Sequence, residues 1–242
     1  MIKNVIKKIL NKLKIVTDPV NRNDRIGVFH KLWGHVFSNH LYGDYVEFGV
    51  YKGDSMHTSI TQFKLFQKWL QNEKNSNEAW RKKIASQSPL NNEIVFHGLD
   101  TFSGMPDNSE NNFSFSKGTF KSDFKTVEKK IKKISNNFIL YKGLFSDNSE
   151  SLKKNLGEKK IVIANLDCDI YQSTTDALNI IDEHLQIGSI IMFDDFNAFN
   201  SNDKKGQRKA FNEYKQISNW KFESHINYMY SGKCFLITDL KK

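Results

Sequence analysis

Short apolar runs that alternate with helix-like stretches are the feature that most constrains how this chain can fold. Five runs have the character of buried parallel strands: YVEFGV (45–50), EIVFHGL (93–99), FILYKG (138–143), IVIANLD (161–167) and GSIIMFDD (188–195). Helix-like stretches lie before and between them: 26–41, from 54 to about 70, 124–134, and 173–185 with a Ser/Thr start that predicts an N-cap. Strands that alternate with helices form βαβ units with right-handed crossovers. The sequence therefore predicts an α/β fold with a mostly parallel sheet and helices on both faces.

The C-terminal part departs from this alternation. A helix-like stretch at 206–217 is followed by two β-like runs, WKFESHI (220–226) and KCFLITDL (233–240), with only NYMYSG between them. Two strands joined by so short a segment form an antiparallel hairpin. We therefore expect seven strands, with this hairpin at one edge of the parallel sheet.

The length of 242 residues suits one sizeable core with appendages rather than two average domains. We place the main domain at 41–242 and interpret the polar segment 72–92 as an irregular insertion. The chain is 38% hydrophobic and 26% charged, without an apolar run long enough to cross a bilayer, which indicates a soluble globular protein. Cys168 and Cys234 form no CxxC or His-rich motif, so we expect neither a disulfide nor a zinc site, and a cytoplasmic location.

Residues 1–40 are predicted to form a helical extension, which begins with a basic amphipathic helix. In residues 1–14 isoleucines, a valine and leucines recur at helical spacing, while five lysines occupy the other face and no acid is present. This helix could pack on its own domain, pair with another subunit in a homo-oligomer, or lie on the anionic inner face of a membrane. The other basic residues that contribute to the net charge of +9 are scattered, which argues against nucleic-acid binding.

The segment GDYVEFGVYKGDS (43–55) joins the first strand to its helix through a glycine turn. A dinucleotide turn has a glycine where this chain has Tyr51, and the Gly-Lys-Ser/Thr end of a phosphate loop is missing. The turn therefore argues against a ligand that binds through a phosphate group. A ligand with adenine and ribose but no phosphate, such as S-adenosylmethionine, could still use a sharp turn at the carboxyl end of a strand.

Five motifs in order resemble the macrocin O-methyltransferase family of class I S-adenosylmethionine-dependent methyltransferases. They are GDYVEFGVYKGDS, LDTFSGMP (99–106), YKGLFSD (141–147), LDCDIYQST (166–174) and IIMFDDF (190–196), and the resemblance spans roughly 40–240. It implies a Rossmann-like methyltransferase fold and a small-molecule or saccharide acceptor, since members of the family methylate sugar hydroxyls.

The resemblance also implies which residues contact the cofactor. The set comes from the ends of the first three strands: Glu47, Gly49 and Gly53 at the methionine end, Ser55 at the helix N-terminus, Asp100 at the ribose, and Phe145 or Ser146 at the adenine. The alternatives are that the acids are surface carboxylates capping helices, that the glycines only form a tight turn, and that Phe145 belongs to the core. The 72–92 segment places Asp100 much further from the turn than the usual spacing of about 20 residues.

Three carboxylates follow two neighbouring strands. Asp167 ends the fourth strand, and Asp194 and Asp195 end the fifth. Carboxylates that meet unpaired repel each other and raise their pKa values, whereas a hard divalent cation such as Mg²⁺ resolves the repulsion. The resemblance implies the same three metal ligands. Alternatively, Asp194 and Asp195 cap the next segment, and Asp167 pairs with a lysine.

The mechanism predicted from these motifs is metal-dependent methyl transfer from S-adenosylmethionine to a sugar hydroxyl, in surface polysaccharide or glycosylated natural product biosynthesis. Asp167 is the first choice for the catalytic base, and Asp169 is a candidate for a supporting role. Other candidate bases are three histidines, His30, His35 and His97. Candidates for contacts to the acceptor are Tyr171 and Arg208. The alternatives are a phenol or catechol acceptor and a non-catalytic scaffold that keeps the fold.

Overall fold

The computed structural model describes residues 22–241 and contains seven strands and seven α-helices in that range. The strands are β1 (Asp44–Phe48), β2 (Phe96–Asp100), β3 (Phe138–Lys142), β4 (Ile161–Leu166), β5 (Ile190–Phe193), β6 (Trp220–Tyr228) and β7 (Gly232–Leu240). The helices are α1 (Arg22–Ser38), α2 (Asp54–Glu73), α3 (Ala79–Gln87), α4 (Phe124–Lys132), α5 (Phe145–Leu156), α6 (Tyr171–Ile181) and α7 (Gly206–Ile217). The predicted basic helix at 1–14 lies outside the described residues.

All seven strands form one sheet in the order β3-β2-β1-β4-β5-β7-β6. Strands β1 to β5 are parallel, and β7 runs antiparallel to both β5 and β6. The predicted sheet and its C-terminal hairpin are confirmed. The chain winds outward in one direction from β1 and in the other from β4, and ligands of such sheets bind at this switch point, outside the carboxyl ends of the strands.

The core lies on both faces of the sheet. Along β1, Tyr45 faces the side covered by α1, α2 and α4, while Val46 and Phe48 face the side covered by α5, α6 and α7. Helix α1 belongs to this core, because Phe29, Leu32 and Trp33 are fully buried. Each such side chain stabilises the fold by about 1.5–3 kcal/mol.

Three local predictions were wrong. The segment 72–92 is not irregular: α2 extends to Glu73, and α3 and a short 3₁₀ turn follow it and bury Ala85 and Leu90. Helix α5 was missed, because its Ser/Asn-rich sequence buries only Leu152 and Leu156. Helix α6 begins two residues before the predicted Ser/Thr cap, and no side chain of its own caps it.

Two further observations concern cysteine chemistry and membrane insertion. Both Cys168 and Cys234 are buried free thiols. Among residues 22–241, none of the helices has the length and the apolar content that crossing a membrane requires.

Candidate active site

A cavity of about 420 Å³ lies at the carboxyl ends of the central strands. Its wall contains residues from the ends of β1 to β4 and from the segments that follow them: Gly49, Tyr51, Asp100, Leu144, Phe145, Ser146, Asp167 and Asp169. Arg25 of α1 and residues of the loop after β2 complete it. The topology therefore brings four of the predicted cofactor contacts, Gly49, Asp100, Phe145 and Ser146, to one cavity.

Gly49 holds the ends of β1 and β4 together. Its backbone has φ +94°, and a Cβ atom there would lie 1.7 Å from the carbonyl oxygen of Asp167. The amide of Asp167 in turn donates a hydrogen bond of 2.8 Å to the carbonyl of Phe48. Only glycine allows this approach, because any side chain would overlap the backbone of the neighbouring strand end.

The turn after β1 also holds Asp100 in place. The amide of Tyr51 donates to one carboxylate oxygen of Asp100 at 2.7 Å, and the amide of Phe102 donates to the other at 2.6 Å. Burial raises the pKa of Asp100 above its ordinary value, and these backbone hydrogen bonds oppose the shift. The ring of Tyr51 packs edge-on against Phe120 at the cavity wall. The backbone amide at position 51 thus positions the carboxylate of Asp100, while Tyr51 itself forms part of the cavity wall.

Three predicted cofactor residues lie behind the turn rather than at the cavity wall. Glu47 is fully buried and accepts hydrogen bonds from the hydroxyls of Tyr45 and Ser55, the latter at 2.6 Å. Burial raises the pKa of Glu47 to about 6. Gly53, with φ +72°, immediately precedes α2 and packs close to α4. These residues shape the turn from inside the protein, and a direct contact to the cofactor stays a prediction.

The three predicted metal ligands converge. Asp167, Asp194 and Asp195 each offer a carboxylate oxygen, and these oxygens lie within 4.8 Å of one another. They meet because Leu166 of β4 pairs with Phe193 of β5 in parallel register, so that both strands end at the same edge. Asp195 comes one residue after Asp194 and therefore remains beside the same edge.

Gln207, a residue that was not predicted, fixes the two strand ends. It is fully buried at the start of α7, where its amide oxygen accepts from the backbone amide of Asp195 at 2.9 Å. Its amide nitrogen donates to the carbonyl of Leu166, also at 2.9 Å. One side chain thus bridges the segments that carry the acids.

Asp169 joins this cluster as a fourth carboxylate. It lines the cavity and adopts a left-handed backbone with φ +61°, and its carboxylate lies close enough to that of Asp195 for the two acids to affect each other's pKa. Burial, followed by repulsion from neighbouring carboxylates, raises the pKa values of Asp167 and Asp169 well above the ordinary range, and burial also raises that of Asp195. The environment therefore favours either protonation or a compensating positive charge.

Arg25 supplies a positive charge at the cluster. Its guanidinium hydrogen-bonds to Asp194, and a second nitrogen lies 3.5 Å from a carboxylate oxygen of Asp167. Burial alone would lower the pKa of Arg25, but the charges of Asp167 and Asp194 outweigh it and raise this pKa above its ordinary value. The sequence contained no signal for this contact, since Arg25 lies more than a hundred residues from the acids and precedes the apolar pattern of α1.

The two candidate acceptor contacts have other partners in this structure. The hydroxyl of Tyr171, at the start of α6, donates to Glu213 at 2.7 Å, and the guanidinium of Arg208, in α7, donates to Asp203 at 2.8 Å. Neither residue is part of the cavity wall. A contact of either residue with an acceptor stays a prediction.

The three histidines suggested as bases also lie outside the cavity wall. His30 hydrogen-bonds to Gln62 and His35 to the carbonyl of Gly188. His97 is fully buried within the sheet, between Asp44 at 3.2 Å and the hydroxyl of Tyr141 at 3.0 Å. Their positions leave carboxylates as the candidate bases among the described cavity residues.

The loop between β2 and α4 forms the roof of the cavity. Glu110 of this loop accepts a hydrogen bond of 2.8 Å from the amide of Tyr171 and so caps the start of α6. Met105 and Phe115 pack against Ile170 to form a small apolar cluster. The cap that the sequence assigned to a local Ser/Thr side chain is therefore supplied by a distant loop.

This sheet order, with an antiparallel strand pair at the C-terminal edge of a parallel sheet, is that of the Rossmann-like class I methyltransferase fold, and known structures agree. The O-methyltransferase NovP matches over 89% of this chain and 80% of its own, with 16% identity and a TM-score of 0.64. The calicheamicin methyltransferase CalS11 matches over 97% and 86%, with 18% identity and a TM-score of 0.65. TomG from Streptomyces achromogenes, solved in complex with S-adenosylmethionine, matches over 88% and 80%, with 9% identity and a TM-score of 0.52.

Family membership follows from the sequence match. Residues 92–227, more than half of the chain, match the macrocin-O-methyltransferase (TylF) family, and the chain belongs to that family. The protein is therefore an O-methyltransferase enzyme, and the scaffold alternative is set aside. No curated protein matches it.

Proposed function

We propose that this enzyme transfers a methyl group from S-adenosylmethionine to a sugar hydroxyl, with a hard divalent cation such as Mg²⁺ bound at the acid cluster. One observation carries the proposal: the wall of one cavity contains Gly49 and Asp100 together with Asp167, which belongs to the acid cluster. A cofactor site that shares its cavity with one acid of the cluster allows the methyl donor and the acceptor to meet. Positioning of this kind supplies much of the rate enhancement in bimolecular reactions.

The cavity wall suits S-adenosylmethionine. Asp100 presents a carboxylate, held by two backbone amides, which can accept hydrogen bonds from ribose hydroxyls. Leu144, Phe145 and Ser146 provide an apolar wall with one hydroxyl for the adenine. The acidic lining also complements the positive sulfonium and ammonium groups of this cofactor. The complex of TomG with S-adenosylmethionine supports the same assignment.

The acid cluster fits a hard divalent cation. Its donors are carboxylate oxygens only, which Mg²⁺ prefers, and they come from two adjacent strand ends within bonding reach of one centre. Oδ1 of Asp194 is buried and has no hydrogen-bond partner, so it is free to serve as a ligand. A bound cation of this kind would lower the pKa of a coordinated hydroxyl.

Asp167 is our proposed acceptor for the proton of the sugar hydroxyl. Of the three acids of the cluster it is the one that lines the cavity. A general base must lie within hydrogen-bond reach of the proton that it takes, and this position gives Asp167 access to an acceptor bound in the cavity. Asp169 also lines the cavity and is the neighbouring carboxylate to compare with Asp167.

The sugar acceptor is proposed from the family and from the fold neighbours. A further structure of CalS11 is described as a TDP-rhamnose 3′-O-methyltransferase of calicheamicin biosynthesis. By analogy we propose a saccharide acceptor, in a surface polysaccharide or a glycosylated natural product, and action in the cytoplasm. The alternative is a phenol or catechol acceptor, and an activity test must distinguish it from a saccharide acceptor.

The test is methyl transfer from labelled S-adenosylmethionine to matched panels of sugar and catechol acceptors. We expect incorporation into a sugar, its loss after treatment with a chelator, and recovery on addition of Mg²⁺. Asp194→Ala should lower the rate at least about 100-fold, whereas Asp239→Ala, which removes an exposed aspartate of β7, should retain it. Full activity after chelation or in Asp194→Ala would refute the metal role, and transfer only to catechols would refute the sugar acceptor.

A further inference from the structure

We propose that Arg25 is a built-in counter-ion of the acid cluster, which competes with the divalent cation and sets the affinity of the enzyme for it. The inference rests on the metal site of the proposed function. It concerns a residue of α1 to which neither the family match nor the predicted motifs assign a role.

The contacts of Arg25 divide the cluster into two sides. Its two terminal nitrogens approach the Oδ2 atoms of Asp167 and Asp194, and so bridge the ends of β4 and β5. Oδ1 of Asp194 remains buried without a partner. The guanidinium therefore contacts the Oδ2 atoms of both carboxylates, and the unpartnered Oδ1 of Asp194 is left for a cation.

The position of Arg25 is fixed by the rest of α1. The preceding residue, Asp24, accepts a hydrogen bond of 2.5 Å from the amide of Met229, in the turn between β6 and β7. Phe29, four residues after Arg25 in α1, is fully buried in the core. Arg25 is thus held over the cluster from both sides, with its side chain only 22% exposed.

The electrostatics make the guanidinium and the cation competitors. Each neutralises the same carboxylates, and a guanidinium beside a bound dication repels it in a poorly solvated site. In the absence of a cation Arg25 relieves the repulsion among the acids, which stabilises the folded protein. When a cation is bound, the positive charge of Arg25 repels it. Removal of Arg25 should therefore raise the affinity for the cation and lower the stability of the cation-free protein.

The experiment measures Mn²⁺ binding by titration calorimetry, together with thermal unfolding with and without Mn²⁺. The variants are Arg25→Met, which keeps the length of the apolar stem, and Lys31→Met, which removes one positive charge from an exposed position about two turns further along α1. We expect the Kd for Mn²⁺ to fall at least about 10-fold in Arg25→Met and to remain within about 2-fold in Lys31→Met, where solvent screens the charge. The Tm of cation-free Arg25→Met should fall below that of Lys31→Met, and Mn²⁺ should raise it by more than it raises the wild-type Tm.

The outcomes separate this inference from the proposed function. If wild type binds Mn²⁺, Asp194→Ala does not, and Arg25→Met binds no more tightly than wild type, the counter-ion role is wrong while the metal site stands. If wild type and Arg25→Met both fail to bind Mn²⁺, the metal site is wrong and the inference fails with it. Should Arg25→Met not fold, as judged by circular dichroism, Arg25→Gln takes its place, because glutamine removes the charge but keeps a polar amide group.

Discussion

Replacing Gly49 with alanine should disrupt the junction of β1 and β4 far more than an ordinary glycine substitution. The added Cβ atom would lie 1.7 Å from the carbonyl oxygen of Asp167 and 2.6 Å from its carbonyl carbon. An ordinary contact of this kind is about twice as long, so one strand end must move by roughly 1.5 Å. That movement displaces Asp167 from its partners in the acid cluster.

The magnitude follows from three contributions. A non-glycine residue in this left-handed region, at φ +94°, costs about 1–3 kcal/mol. The displacement also breaks two backbone hydrogen bonds, from Gly49 to Leu99 at 2.9 Å and from Asp167 to Phe48 at 2.8 Å, each worth about 1 kcal/mol. We therefore expect Gly49→Ala to lower the free energy of unfolding by about 3–5 kcal/mol and to weaken Mn²⁺ binding.

The assay is urea denaturation with two matched alanine substitutions. Gly118 also has a positive φ, +83°, but nothing lies within 4 Å of a Cβ atom there, so Gly118→Ala isolates the backbone strain. Gly27 lies within α1 with equally open space, so Gly27→Ala should stabilise the protein by up to about 1 kcal/mol. If Gly49→Ala destabilises the protein no more than Gly118→Ala does, the close approach to Asp167 does not constrain the fold.

Two further predictions concern residues that support the site. Burial raises the pKa of Glu47 from its ordinary 4.5 to about 6, so between these pH values the folded protein holds a proton that the unfolded chain has lost, and stability falls as pH rises. We expect the free energy of unfolding of Glu47→Gln, measured by urea denaturation, to rise by about 2 kcal/mol relative to that of wild type between pH 4 and pH 7. Parallel pH profiles of the two proteins would contradict this. Gln207→Leu leaves the backbone amide of Asp195 without this partner and removes one of two hydrogen bonds to the carbonyl of Leu166, which still accepts from the amide of Asp194. It should lower the free energy of unfolding by about 1–3 kcal/mol. As a control, Gln186→Leu removes a solvent-accessible hydrogen bond to the carbonyl of Tyr42 and should lower the free energy of unfolding by less than about 1 kcal/mol. Equal decreases in the two variants would show that the buried hydrogen bonds of Gln207 contribute no more than an exposed one.

The sequence by itself determined the sheet and the meeting of the three acids. Apolar runs of strand length, separated by helical periodicity, leave a parallel sheet as the way to bury them, and the hairpin at 220–240 follows from its short connection. Once β4 and β5 are adjacent and parallel, residues that follow their last apolar positions must lie at one edge. The convergence of Asp167, Asp194 and Asp195 is therefore a local consequence of where each strand ends.

Local patterns gave less guidance where burial is sparse. Helices α3 and α5 bury few apolar residues within polar segments, so their periodicity is weak, and they form because the neighbouring core accepts those few side chains. The same limit applies to Glu47 and Ser55, which the motif places near the turn but whose inward direction depends on Tyr45 and on the packing of α2.

Only the tertiary structure decided which distant side chains support the site. Arg25 of α1 contacts the acids, Gln207 of α7 joins the ends of β4 and β5, and Glu110 of the roof loop caps α6. Periodicity reports which side chains face a core, because hydrophobic burial acts on every turn or pleat of an element. A single ion pair or buried amide leaves no such repeat in the sequence, so its partner is fixed only when distant elements have packed together.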